Sequence, residues 1–150
     1  MVRTKTVLAT GAFDLLHLGH VRFLQESKRR GGPKARLVVV VARDRTVLER
    51  KGRRPILPER QRRELVASLR AVDQAILGHQ HLDMLGILKE VKPDIICIGY
   101  DQIEIKASLV KTLREQKIRI PVVEIPKLGP KGFNSSSKVK ARVARQWKTS

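Results

Sequence analysis

Two histidines, His17 and His20, flank Leu18 and Gly19 directly after the apolar run Val7-Leu8-Ala9-Thr10 and the turn Gly11-Ala12-Phe13-Asp14. A short strand that runs into a glycine turn and then a helix places two imidazoles, two residues apart, at a helix start. Ligands collect at the carboxyl ends of parallel strands, and the free N–H groups of a first helical turn attract anions. Gly19 keeps the backbone bare, so both rings can face one phosphate chain. The segment points to an enzyme acting on a nucleoside triphosphate.

Three further groups have the chemistry to serve such a ligand. Residues 43–63 hold nine basic side chains against three acidic ones, and a lysine or arginine there can offset charge that develops in a transition state. Gly99-Tyr100-Asp101-Gln102 ends a strand with an acid, where a plain helix cap is the ordinary alternative. Ser135-Ser136-Ser137 precedes a helical pattern; serines there are ordinary N-caps, and they also gather hydroxyls, N–H groups and the helix dipole into a phosphate site. Lys127 stands before that serine run.

The elements that must position these residues alternate along the chain. Strands are expected at 6–10, 36–42, 74–78, 94–99 and 119–125. Helices are expected at 20–30, 58–69, 83–91 and 104–116, with a last amphipathic stretch at 137–147 carrying Val139, Val143 and Trp147 on one face. Continuous apolar strands imply a sheet covered on both faces. Alternating β and α units give a single-domain, Rossmann-like doubly wound sheet of about five parallel strands, spanning residues 1–150 with no linker. The fourth strand should then neighbour the first across the switch point. Residues 43–57 and 126–136 are expected to be irregular, and long loops in such domains are often functional.

Composition narrows the class. Of 150 residues, 41% are hydrophobic and 31% charged, which fits a folded domain. No apolar run approaches the roughly 20 residues that cross a bilayer, the N-terminus does not read as a signal peptide, and no membrane partner is expected. Cys97 is the single cysteine and sits in an apolar run, so no intrachain disulfide forms and a cytoplasmic setting is expected. The net charge of +18 raises nucleic acid as a competing partner class. Only five aromatic residues are present, few for a reader of single strands by stacking. The basic excess alone does not account for phosphate-type segments at two strand–helix junctions.

The first segment resembles the Gly-Thr-Phe-Asp-Leu-Leu-His-x-Gly-His signature of the cytidylyltransferase-like nucleotidyltransferases, with Ala12 in place of threonine. Asn134-Ser135-Ser136-Ser137-Lys138-Val139-Lys140 resembles the family's second signature, with Asn134 where isoleucine is usual. Lys51-Gly52-Arg53 and Pro58-Glu59 through Arg62 resemble its basic loop and following helix. Through Lys51-Gly52-Arg53-Arg54-Pro55 and Gly99-Tyr100-Asp101-Gln102 the chain looks most like the archaeal FAD synthases, which join AMP from ATP to FMN and release pyrophosphate. A cysteine pair that those enzymes often carry before the serine run is absent, so glycerol-3-phosphate cytidylyltransferases and the nucleotidyltransferase of ADP-heptose synthesis, which share both signatures, stay open.

The resemblance implies roles. Gly11, Ala12, Phe13, Asp14, His17, Leu18, Gly19, His20, Asp101, Lys127, Ser135, Ser136 and Ser137 would bind the nucleotide. His17, His20, Lys51 and Arg62 would be catalytic, and Arg53, Arg70 and Phe133 would meet the acceptor, with Phe133 lining a slot for a flat ring. Mg²⁺ or another divalent ion would arrive with the triphosphate, since no cluster has the spacing of a protein metal site. A homodimer is implied, with ATP and a phosphate-bearing acceptor, FMN foremost, as ligands.

Overall fold

The computed structural model describes residues 3–80 and 83–149. Five strands, β1 (Thr6–Gly11), β2 (Arg36–Val41), β3 (Gln74–Leu77), β4 (Ile95–Gly99) and β5 (Val122–Ile125), form one sheet in the order β3-β2-β1-β4-β5. All pairings are parallel, and β1 lies between β2 and β4 as expected, with Leu8 opposite both Val38 and Ile96. Valine-rich strands suit this position because branched side chains fill both covered faces.

Helices α1 (Leu18–Arg30), α2 (Asp44–Lys51), α3 (Glu59–Ala67), α4 (Met84–Val91), α5 (Ile103–Glu115) and α6 (Ser136–Thr149) complete the fold. Val7, Ala9, Val39 and Cys97 share one buried layer with Leu24 of α1 and Val66 of α3. Leu8, Ile96 and Ile98 share the other with Ile87 of α4 and Leu109 of α5. These alternating side chains make the Rossmann-like doubly wound sheet.

Two expectations need correction. The segment 43–57 is not wholly irregular, because α2 occupies Asp44–Lys51; only Thr46 and Val47 of it are buried, and its run of charges hides the helical period. Gly52 ends it at φ 74°, a conformation that favours glycine. Strand β5 starts at Val122, not at 119, since Pro121 offers a carbonyl to Ile96 but has no N–H for a ladder. The face of α6 that carries Val143 and Trp147 is left open: Trp147 is 82% exposed, and no described element covers it.

Candidate active site

At the carboxyl ends of β1, β4 and β5 the chain forms a cleft over the topological switch point. Its floor is the turn after β1. Phe13 (φ 53°) and Leu15 (φ 48°) hold left-handed conformations that side chains with a Cβ seldom adopt, so this turn needs outside support. Arg62, fully buried, donates to the Ala12 carbonyl at 2.6 Å, to the Leu57 carbonyl at 2.8 Å and to Asp44 at 2.7 Å. The Asp14 carboxylate accepts the N–H groups of Ile56 and Leu57 at 2.8 and 3.0 Å, with Lys140 at 3.3 Å. Ser136 Oγ donates to the Asp14 carbonyl at 2.6 Å. Burial pushes the Asp14 carboxyl up, but these backbone donors and Lys140 outweigh it and keep it ionised.

The histidines are fixed by reciprocal capping. His17 Nδ1 accepts from Gly19 N–H, and His20 Nδ1 accepts from His17 N–H, both at 3.1 Å. A nitrogen that accepts from a backbone donor carries no proton, so each neutral ring bears its proton on Nε2. The rings lie 3.8 Å apart, centroid to centroid. Burial lowers the His17 pKa. Burial, then the neighbouring His17 and Lys51, pushes His20 down to about 3. Near pH 7 both are neutral Nε2–H donors. Gly19 is required here, since a Cβ would meet the His17 ring at 2.8 Å and the Asn134 carbonyl at 3.0 Å.

Charge around the cleft is arranged for an anion. The N-termini of α1 and α6 both open on it through Gly19 and Ser135 to Ser137, and neither carries an acid in its first turn. The other four helices have Asp44, Glu59, Asp83 or Glu104 at or beside their N-termini. Two helix ends thus keep their positive dipoles uncompensated. Burial, then the neighbouring Arg50, holds the Lys51 ammonium below its usual range, while Asp101 opposes the shift. Lys127 lies 5.4 Å from the Tyr100 ring centroid. Gln102 ties β4 to β1, accepting from Gly99 N–H at 2.8 Å and donating to Thr10 at 3.3 Å.

Of the residues singled out from sequence, Gly11, Ala12, Phe13, Asp14, His17, Gly19, His20, Lys51, Arg53, Asp101, Lys127 and Ser135 to Ser137 line this one cleft. Four do not. Arg62 lies beneath the floor and supports the turn, so it does not reach a ligand in the cleft. Arg70 is exposed in the turn between α3 and β3, at the amino end of the sheet and away from the cleft. Phe133 is 46% exposed outside the cleft, with the Arg142 guanidinium 6.0 Å from its ring centroid. Leu18 is an exposed residue of the first helical turn that does not line the cleft.

Arg50, Arg54, Tyr100, Gln102 and Lys140, which lie in the segments singled out from sequence but were given no site role there, also line the cleft. Lys140 was accessible through its spacing: it is one helical turn past Ser136, on the face turned to Asp14. Among the described residues no group of three or more His, Cys, Asp or Glu side chains is placed to hold a metal ion. No helix among them is long and apolar enough to cross a membrane.

The model of the cytidylyltransferase-like family matches residues 8–142. A protein of Methanobrevibacter smithii named FAD synthase is 42% identical over 141 residues, covering 94% of this chain and 92% of its own length. An FAD synthase of Thermoplasma volcanium is 46% identical over 137 residues, 91% of this chain and 92% of its own. A crystal structure described as the lipopolysaccharide core biosynthesis protein of Thermoplasma volcanium superposes with a TM-score of 0.74 at 45% identity, covering 85% of this chain and 100% of that one.

Proposed function

The chain belongs to the cytidylyltransferase-like family, and on that premise we propose that it is an FAD synthase, a nucleotidyltransferase that moves AMP from ATP to the phosphate of FMN and releases pyrophosphate. The observation that carries the reading is the convergence, on one cleft, of two uncompensated helix N-termini, two fixed Nε2–H donors and the half-buried Lys51. Such a cleft suits a polyphosphate.

A phosphate oxygen of FMN attacks the α-phosphorus of ATP in line; the bond to the bridging oxygen of the β-phosphate breaks, and the electron pair leaves with pyrophosphate. The nucleophile is already anionic at pH 7, so no general base is needed. His17, His20 and Lys51 meet the charge that grows on the departing oxygens, and the α1 and α6 N-termini hold the phosphates in place. Both rings act as neutral Nε2–H donors, because a proton on Nδ1 would break the capping bonds that fix them. The ATP enters as its complex with Mg²⁺ or a similar ion. Asp14 is taken up by its own partners, which leaves Asp101 as the free carboxylate of the cleft.

The same reading includes a homodimer, a cytoplasmic site of action, and phosphate ligands in place of nucleic acid as the purpose of the cationic rim. Light scattering tests the first. RNA binding that is tighter than ATP binding at physiological salt contradicts the last.

A second reading, transfer to a sugar or polyol phosphate, draws on the description of the Thermoplasma volcanium structure. One experiment separates the two. The protein is incubated with ATP or CTP, Mg²⁺, and FMN, glycerol 3-phosphate or a heptose phosphate, and pyrophosphate and products are measured. FAD from ATP and FMN alone is expected. Robust CDP-glycerol or ADP-heptose without FAD replaces the acceptor and leaves nucleotidyl transfer in place.

A further inference from the structure

Between β5 and α6 the chain runs along the cleft as a strap, residues 126–135, that crosses the start of α1. It is fastened at three points. Leu128 packs against the buried layer that holds Leu24 of α1. Gly129, at φ 100°, lies so close to α1 that a Cβ on it would meet the Gly19 backbone at 2.9 and 3.0 Å. The third point is Lys138, in the first turn of α6. Its Nζ donates to the Lys131 carbonyl at 2.6 Å and to Asn134 Oδ1 at 2.8 Å. Arg142, one helical turn further on the same face, stands over the ring of Phe133. Lys127, Leu128 and Asn134 of the strap line the cleft, whereas Lys138 does not.

Lys138 is therefore matched to two neutral oxygens and, among the described residues, to no carboxylate. Desolvation, then the neighbouring Lys127, holds its ammonium below the usual range. The two cations stand side by side. Like charges repel, so a loop free to move would carry Lys127 away from Lys138, and the clasp on Lys131 and Asn134 opposes that movement. We propose that Lys138 is a positioning residue for nucleotide binding: its clasp holds the strap, before any ligand arrives, in the shape that presents Lys127 and the α6 N-terminus to a triphosphate. A segment ordered in advance loses little conformational freedom on binding, which favours affinity. Without the clasp the triphosphate must itself order the strap and binds more weakly. Once it is bound the strap is in place again, so turnover at saturation is kept. The proposal rests on the nucleotidyltransferase reading of the cleft and is independent of the acceptor.

Lys138→Met tests it, since methionine keeps the aliphatic stem and removes the donor. Calorimetry should show ATP and inorganic tripolyphosphate both bound about 3- to 10-fold more weakly, the range of a net hydrogen bond. The kcat at saturating ATP and the KM for FMN should stay within about twofold. Hydrogen exchange across residues 129–135 of the ligand-free protein should quicken, with the rest of the chain unchanged. Asn134→Ala should reproduce part of the loss and add nothing to Lys138→Met, because the two residues share one contact. Lys148→Met removes the same charge from the far end of α6 and should be silent in binding and exchange. The ratio of wild-type to Lys138→Met affinity should persist at about 0.5 M salt, where a long-range charge effect is screened. Equal weakening by Lys148→Met, a ratio that collapses in salt, unchanged exchange in the strap, or a fall in kcat with affinity kept overturns the proposal. A wild-type protein that binds neither ATP nor tripolyphosphate overturns the reading of the cleft and the proposal together. ATP binding without FAD formation changes the acceptor alone.

Discussion

The two ends of this one sheet handle charge in opposite ways. At the amino end the acids Asp94, Asp73 and Glu26 each hold a cation. Asp94 takes the Thr6 N–H at 2.8 Å and pairs with Arg3, while Asp73 takes the Leu37 N–H at 2.7 Å and pairs with Lys28. Glu26 likewise holds Arg29 and Arg30. At the carboxyl end, Arg50, Lys51, Arg53 and Lys127 have no carboxylate at ion-pairing distance among the described residues, α1 and α6 carry no acid in their first turns, and the floor holds two strained residues. Matched charge at one end serves the fold. Unmatched charge at the other suits the polyphosphate of the proposed reaction.

Substitutions can break the contrast, beginning with the greatest effect. Arg62→Ala should destabilise the protein by about 3–5 kcal/mol, as removal of one partner from a buried ion pair does, because Asp44 and the Ala12 and Leu57 carbonyls lose their donor. Urea unfolding measures it, and a loss below about 1 kcal/mol would mean that the turn supports itself. His20→Ala should lower turnover about 100-fold or more, the usual loss for one charge-stabilising donor, with the fold retained by circular dichroism. Lys51→Ala should lower kcat about 10-fold or more with less change in the KM for FMN, since its partner charge develops in the transition state.

Acid sharpens the same comparison. His20 has a folded pKa near 3 against about 6.5 unfolded, so the unfolded chain binds the extra proton between those values. Stability from this group is complete above pH 6.5 and falls as pH drops toward 3, by up to about 1.4 kcal/mol per pH unit. Unfolding of the ligand-free protein between pH 6.5 and 4.5 should be less pH-dependent in His20→Asn than in wild type, and ATP should oppose the fall. Least affected is the amino end: Arg3→Ala, at a 79% exposed side chain, should change stability by no more than about 0.5 kcal/mol.

How much could be read beforehand follows the same division. The parallel doubly wound sheet and both phosphate-type junctions were legible because valine runs, the His-x-x-His spacing and the serine run are local signals. The roles of Arg62 and Phe133 were not. A buried arginine beneath a turn has the same sequence signature as one above it, and only the contact with Ala12, fifty residues away, tells them apart. Phe133 has an apolar ring but no partner within the cleft, and its outward turn depends on the loop that carries Gly129 at φ 100° across Gly19. Helix α2 was hidden because eight residues that bury only two side chains carry almost no hydrophobic period.

The central claim is that the unmatched rim positions the α-phosphorus of ATP for attack by the phosphate of FMN. Incubation with FMN and ATP labelled at either the α- or the γ-phosphorus tests it directly. The account predicts α-label in FAD and γ-label in pyrophosphate in equal amounts. γ-label on the flavin, or label released as inorganic phosphate with no FAD, would contradict it.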